Sequence, residues 1–208
     1  IRLSLVGSEM CIRDRVNNII KPGISTSEID KLCYDYINDH KAFSAPLYYR
    51  GYPKSCCTSS NHVVCHGIPS EKILNDGDIL NVDVTAIKDG WHVDTSRMFV
   101  VGECSVKAKK LIKTTYEAMM EAIKIIKANI KIGSIGYTIQ KLVEAEGFSV
   151  VRDFCGHGIG TNFHQEPNIL HYGSKDTGDE LKPGMTFTIE PMINAGKYNT
   201  MVLNDGWT

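Results

Sequence analysis

The chain has 208 residues, enough for one domain with a sizeable buried core. A net charge of −1 gives no electrostatic case for nucleic acid or an anionic membrane as partner, and no apolar run approaches the roughly 18 residues that span a bilayer. Its seven cysteines are odd in number, scattered and without CxxC spacing, which fits reduced thiols in a cytoplasm better than a disulfide framework or zinc knuckle.

Ile1 to Arg15 show neither helical nor strand periodicity and run into a helical pattern without a cap. The stretch resembles translated sequencing-adapter read-through, and it lacks the apolar core and cleavage site of a signal peptide. It is expected to be a non-native tail, with residues 16–208 forming a single catalytic domain. Val16 to Ile20 then reads as the end of a helix stopped by Pro22-Gly23. Ser25 or Thr26 can cap the next helix, whose Ile29, Leu32, Cys33, Tyr36 and Ile37 fall at helical spacing. Ser105 can cap a longer helix to about Lys127, with Ala108, Leu111, Ile112, Met119, Ala122, Ile123 and Ile126 on one stripe and its lysines on the solvated face.

The second half repeats the grammar of the first. Ile29 and Leu32 follow Gly23 at the offsets at which Ile139 and Leu142 follow Gly133. Gly77 precedes a predicted strand whose sixth following residue is Asp83, and Gly184 one whose sixth is Glu190. Two helix-then-strand units, each ending in a carboxylate among apolar residues, point to a pseudo-twofold fold with a site between the halves.

The stretch from Asp78 to Val101 reads as a β-hairpin turning at Lys88-Asp89-Gly90. With Lys88-Asp89 as the tight loop, Asp83 opposes Asp94; a register moved by two leaves them diagonal but on one face. Two carboxylates that close in an apolar strand pair call for a shared proton or a cation, and a divalent ion resolves the conflict. Further on, Cys155 to Pro167 reads CGHGIGTNFHQEP. Its glycines and proline permit a turn that lets His157 and His164 converge, although their spacing would put them on opposite faces of a straight strand. Asp83, Asp94, His157 and Glu190, with His66 and His164 nearby, form a mostly oxygen donor set suited to Mn, Fe, Co or Zn. More carboxylates than one ion needs favour two metals roughly 3.5–4 Å apart and metal-assisted hydrolysis.

The motifs VVCHGIP (63–69), NVDVT (81–85), DTSRMF (94–99), CGHGIG (155–160), FHQEP (163–167) and FTIEP (187–191) resemble those of type I methionine aminopeptidases, from about Val16 to Thr208. The resemblance implies the α+β pita-bread fold, a curved antiparallel sheet covered by helices. It implies removal of methionine from the N-termini of nascent proteins with a small second residue, by a metal-bridging water. Two divalent ions would be held by Asp83, Asp94, His157 and Glu190, with Asp94 bridging, Asp83 bidentate and Glu190 also shuttling protons. His164 would bond the scissile carbonyl and His66 the second residue's amide nitrogen. Tyr49, Cys57, Phe163 and Trp207 match the methionine pocket. Arg50 and Pro46 sit at its variable rim.

The family's remaining ligand, a glutamate well beyond the position of Glu190, has no counterpart before Thr208, so a chain lacking its C-terminal end and impaired in metal binding is expected. A cytoplasmic monomer that meets nascent chains at the ribosome, without nucleic acid or membrane contact, completes the expectation. Three alternatives are weaker. Xaa-Pro peptidases carry a large N-terminal domain; the type II enzymes carry an insertion for which the 33 residues from His157 to Glu190 leave little room; a non-catalytic binding module would not need the retained donors.

Overall fold

The computed structural model describes residues 3–208, with side chains from residue 11 onward. The chain gathers into two compact units, one of residues up to Ser105 together with Val202–Thr208, the other of Val106–Met201.

In the first unit, helix α1 spans Leu3–Ile19. The leading segment without sequence periodicity is therefore helical from Leu3, a correction with a simple cause: extending a helix fixes one residue per hydrogen bond, whereas nucleating one fixes several. Ile12 and Val16, one turn apart, are both buried, and the Arg15 guanidinium lies 4.9 Å from the Tyr36 ring centre. Gly23, at φ +96°, turns the chain after α1. Helix α2 (Thr26–Asp39) opens on a capping box: the Ser25 hydroxyl accepts the Glu28 N–H, and the Glu28 carboxylate accepts the Ser25 N–H. Ile29, Cys33, Tyr36 and Ile37 are buried as expected, and Leu32 packs half-buried against the same core.

Strands β1 (Phe43–Ser44) and β2 (Cys57–Ser60) pair antiparallel with β3 (Ile79–Lys88), which forms a full-length hairpin with β4 (Trp91–Val100). The hairpin loop is Asp89-Gly90, at φ 52° and 79°. A two-residue turn of this kind needs positive φ at both central positions, and Gly90 takes one without steric cost. The register is consequently two residues away from direct opposition of the aspartates. Asp83 faces Ser96, and Asp94 faces Thr85. Parity is unchanged, so both carboxylates share one face.

The second unit packs α3 (Val106–Lys124) on α4 (Gly133–Ala145) around Ala118, Ala122, Ile135, Ile139 and Val143. The long helix ends three residues before the expected Lys127. Ile123 is exposed, contrary to the stripe read from sequence; it adjoins the fully buried Ala122, and one residue is 100° around a helix. Short strands β5 (Ser149–Val150) and β8 (Ile193–Asn194) pair, as do β6 (Gly156–Gly158) and β7 (Gln165–Ile169). The segment expected as a strand ending in Glu190 is not a regular one. It runs beside β6, which is three residues long, with a single bridge, Phe187 to Gly158. Among the described residues no helix is long and apolar enough to cross a membrane.

Candidate metal and peptide site

The predicted residues fall into two groups, one on each unit. In the first, β3 and β4 carry the acids. The Asp83 carboxyl is enclosed although the residue keeps some exposure, and it shares a hydrogen bond with Asp94. Burial raises the Asp83 pKa from 3.8 to about 6, and the bond to Asp94 offsets this only in part. Cys57 is the β2 partner of Asp83; burial, then the Asp83 charge, pushes its thiol well above the ordinary range.

His66 and Trp207 also meet in this unit, ring centres 6.0 Å apart and edge-on. The His66 backbone is left-handed at φ 58°, and the chain after it is laid on β2: the Thr58 N–H donates to the Gly67 carbonyl. A Cβ on Gly67 would lie 2.3 Å from the Thr58 oxygen, so glycine is required there. Burial lowers the His66 pKa, which keeps the imidazole uncharged at neutral pH. Tyr52 was not singled out by sequence. Its ring meets Trp207 edge-on at 5.1 Å, and its one hydroxyl proton is shared between the carbonyls of Cys56 and Gly67, both at 3.0 Å. Tyr49 is half-buried in a 3-10 turn, with the Arg50 guanidinium over its ring.

In the second unit the β6–β7 hairpin brings the two histidines together, as the glycines predict. The His157 and His164 rings are 4.2 Å apart, and Phe163 stacks on His164 at 4.2 Å. Cβ atoms on Gly156 and Gly158 would lie 2.5 Å from the Thr188 oxygen and 2.3 Å from the Glu166 oxygen. His157 is buried, and its Nδ1 is 3.0 Å from the Gly158 carbonyl. A carbonyl only accepts, so Nδ1 carries the proton and Nε2 the lone pair. Nε2 faces Glu190 Oε1 at 3.5 Å. Burial lowers the His157 pKa.

Two further residues build this group. The Thr188 hydroxyl accepts the His157 N–H at 2.9 Å and donates to Glu190 Oε1 at 2.5 Å. Its signal was legible, since a residue two before Glu190 in an extended chain points to the same side. His171, buried behind Glu190, gave no signal beyond being a histidine.

The model of metallopeptidase family M24 matches residues 8–207. The methionine aminopeptidase of Escherichia coli K12 is 55% identical over 199 residues, 95% of this chain and 75% of that protein. The chain belongs to the methionine aminopeptidases of family M24. The crystal structure of methionine aminopeptidase from Rickettsia prowazekii superposes with a TM-score of 0.93 at 53% identity, over 94% of this chain and 79% of that one. An X-Pro aminopeptidase from Thermotoga maritima superposes at 0.71 with 24% identity, over 88% of this chain and 50% of its own, which is a likeness of fold alone. The architecture is thus the α+β pita-bread fold, and the closer kinship lies with the methionine aminopeptidases rather than the Xaa-Pro enzymes.

Membership of a metallopeptidase family makes a divalent metal the cofactor class, and the donors of this chain fit one. Two acids share a hydrogen bond with one of them enclosed, and a buried imidazole is fixed by a carbonyl on Nδ1 with Nε2 turned to a carboxylate. That backing of a ligating histidine by an acceptor on its other nitrogen is usual at metal sites.

Proposed function

We propose that this chain, with residues 16–208 as its catalytic domain, removes N-terminal methionine from nascent proteins whose second residue is small, working in the cytoplasm as a monomer. Asp83, Asp94, His157 and Glu190 would hold two divalent ions of the Mn, Fe, Co or Zn class. What carries the reading is the His157–Glu190 pair, a neutral imidazole lone pair facing a carboxylate oxygen at 3.5 Å. Two electron-rich groups so placed are complementary to a cation and not to each other. The ions, when bound, supply Lewis acidity toward a carbonyl and an activated water.

The chain's own residues do the rest. Glu190 would carry the proton from the attacking water to the leaving amine. His164, stacked on Phe163, donates to the scissile carbonyl oxygen as negative charge develops there. His66, neutral because it is buried, offers a lone pair to the amide N–H of the second residue. Cys57, Tyr49, Trp207 and Phe163 would contact the methionine side chain, with sulfur and aromatic edges suited to a thioether. The test is a pair of peptides, Met-Ala-Ser and Met-Leu-Ser, incubated with the protein and manganese while free methionine is followed. Faster release from Met-Ala-Ser is expected; preference for Met-Leu-Ser would defeat the proposed selectivity.

A further inference from the structure

The ladder beside β6 does not continue as far as Glu190. The Thr188 N–H donates to the His157 carbonyl, but the Glu190 N–H goes to a side chain, donating to His171 Nε2 at 3.1 Å. His171 is only 1% exposed. Because Nε2 accepts, the proton of the neutral ring sits on Nδ1, and Nδ1 is buried with no partner among the described residues. A buried, unpaired N–H is unfavourable, so an imidazole at this position stabilises little by itself. Its useful contact is the one to Glu190.

The segment that presents His171 is gripped on both sides by α4. A Cβ on Gly136 would come within 2.5 Å of the carbonyl oxygens of Leu170 and Tyr172, so the helix lies directly against that backbone. One turn further along α4, Gln140 Oε1 accepts the Gly173 N–H at 2.9 Å. His171 is thus a fixed post. On its other side, the Glu190 carboxylate accepts from the Thr188 hydroxyl and faces His157.

We propose that His171 is a positioning residue for the reaction: it holds the Glu190 main chain by an N–H···N bond, so that the carboxylate is set for metal binding and proton transfer before either occurs. The proposal rests on the reading of Glu190 as a metal ligand. Preorganising a ligand from outside the coordination shell commonly changes metal affinity about 10- to 100-fold.

The test compares His171→Phe, which keeps the ring volume but accepts nothing, with His171→Gln, whose amide oxygen can take the place of Nε2. Manganese binding is read by calorimetry, and kcat and KM with Met-Ala-Ser. His171→Phe exchanges one unpaired buried N–H for another, so its melting temperature stays close to that of the parent. Its manganese affinity falls about 10- to 100-fold, kcat falls, and KM changes little, while His171→Gln recovers most of both losses. Parent-like affinity and kcat in a folded His171→Phe overturn the proposal. Should that variant fail to fold, the parent decides: a 15N–15N coupling through the hydrogen bond between the Glu190 amide and His171 Nε2 supports the proposal, and its absence overturns it. Glu190→Gln separates the two readings. Parent-like manganese affinity in Glu190→Gln removes the ligand assignment itself, whereas loss there with none in His171→Phe removes only the positioning role.

Discussion

Asp83→Asn in the metal-free protein exposes the electrostatic cost built into this site. Burial raises the Asp83 pKa from 3.8 to about 6, so the folded state resists ionising it. The contribution to stability is full below about pH 4, where the carboxyl is protonated folded and unfolded, and is lost as pH rises through about 6. At 1.36 kcal/mol per pH unit the loss is about 3 kcal/mol. Asparagine is similar in shape and never charges. In urea titrations of EDTA-treated protein, the stability of Asp83→Asn relative to the parent should therefore rise by about 3 kcal/mol between pH 4 and pH 7.5. Manganese at about 100 times its Kd should return about 2.7 kcal/mol to the parent at pH 7.5 and much less to the variant. A stability difference that does not vary with pH would refute the burial argument, and equal stabilisation of both proteins by manganese would refute the ligand role.

Burial pushes His171 down to about 4 from 6.5, so the stability it permits is present above pH 6.5 and lost as pH falls through about 4, by about 3 kcal/mol; His171→Phe should lack this loss in urea titrations at pH 4 and 7. Tyr52→Phe removes the hydroxyl that serves two carbonyls and should cost about 1–3 kcal/mol, seen as a lower urea midpoint, with a raised KM for Met-Ala-Ser because Trp207 and Cys57 adjoin it. Gly67→Ala puts a Cβ 2.3 Å from the Thr58 oxygen and should cost at least the 1–3 kcal/mol typical of overpacking, with displacement of His66 visible as a loss of kcat.

Much of the candidate site was legible because its chemistry depends on local pattern. The parity of Asp83 and Asp94 survived a two-residue change of register, since side chains alternate whatever the partner. The glycines around His157 announced a close approach, and at Gly156 and Gly158 the backbone carbonyls of Thr188 and Glu166 lie where a side chain would be. The turn at Lys88-Asp89-Gly90 was legible, but Lys88-Asp89 and Asp89-Gly90 compete for its two central positions, and only the need for two positive φ angles decides between the two registers. The leading helix was missed because Ile12 and Val16 make too small a stripe to register as periodicity. His171 and Tyr52 were illegible for another reason. His171 reaches Glu190 and Tyr52 reaches Gly67 only through the fold, and a buried histidine or tyrosine looks in sequence like any other core residue.

If Asp94 and its fellow ligands hold the metal, release of N-terminal methionine depends on both the ion and that carboxylate. The direct measurement is free methionine from Met-Ala-Ser, with manganese or cobalt supplied to the EDTA-treated protein and with Asp94→Asn alongside. Release should need added metal and be lost in Asp94→Asn. Release that persists in EDTA, or proceeds equally in Asp94→Asn, would contradict it.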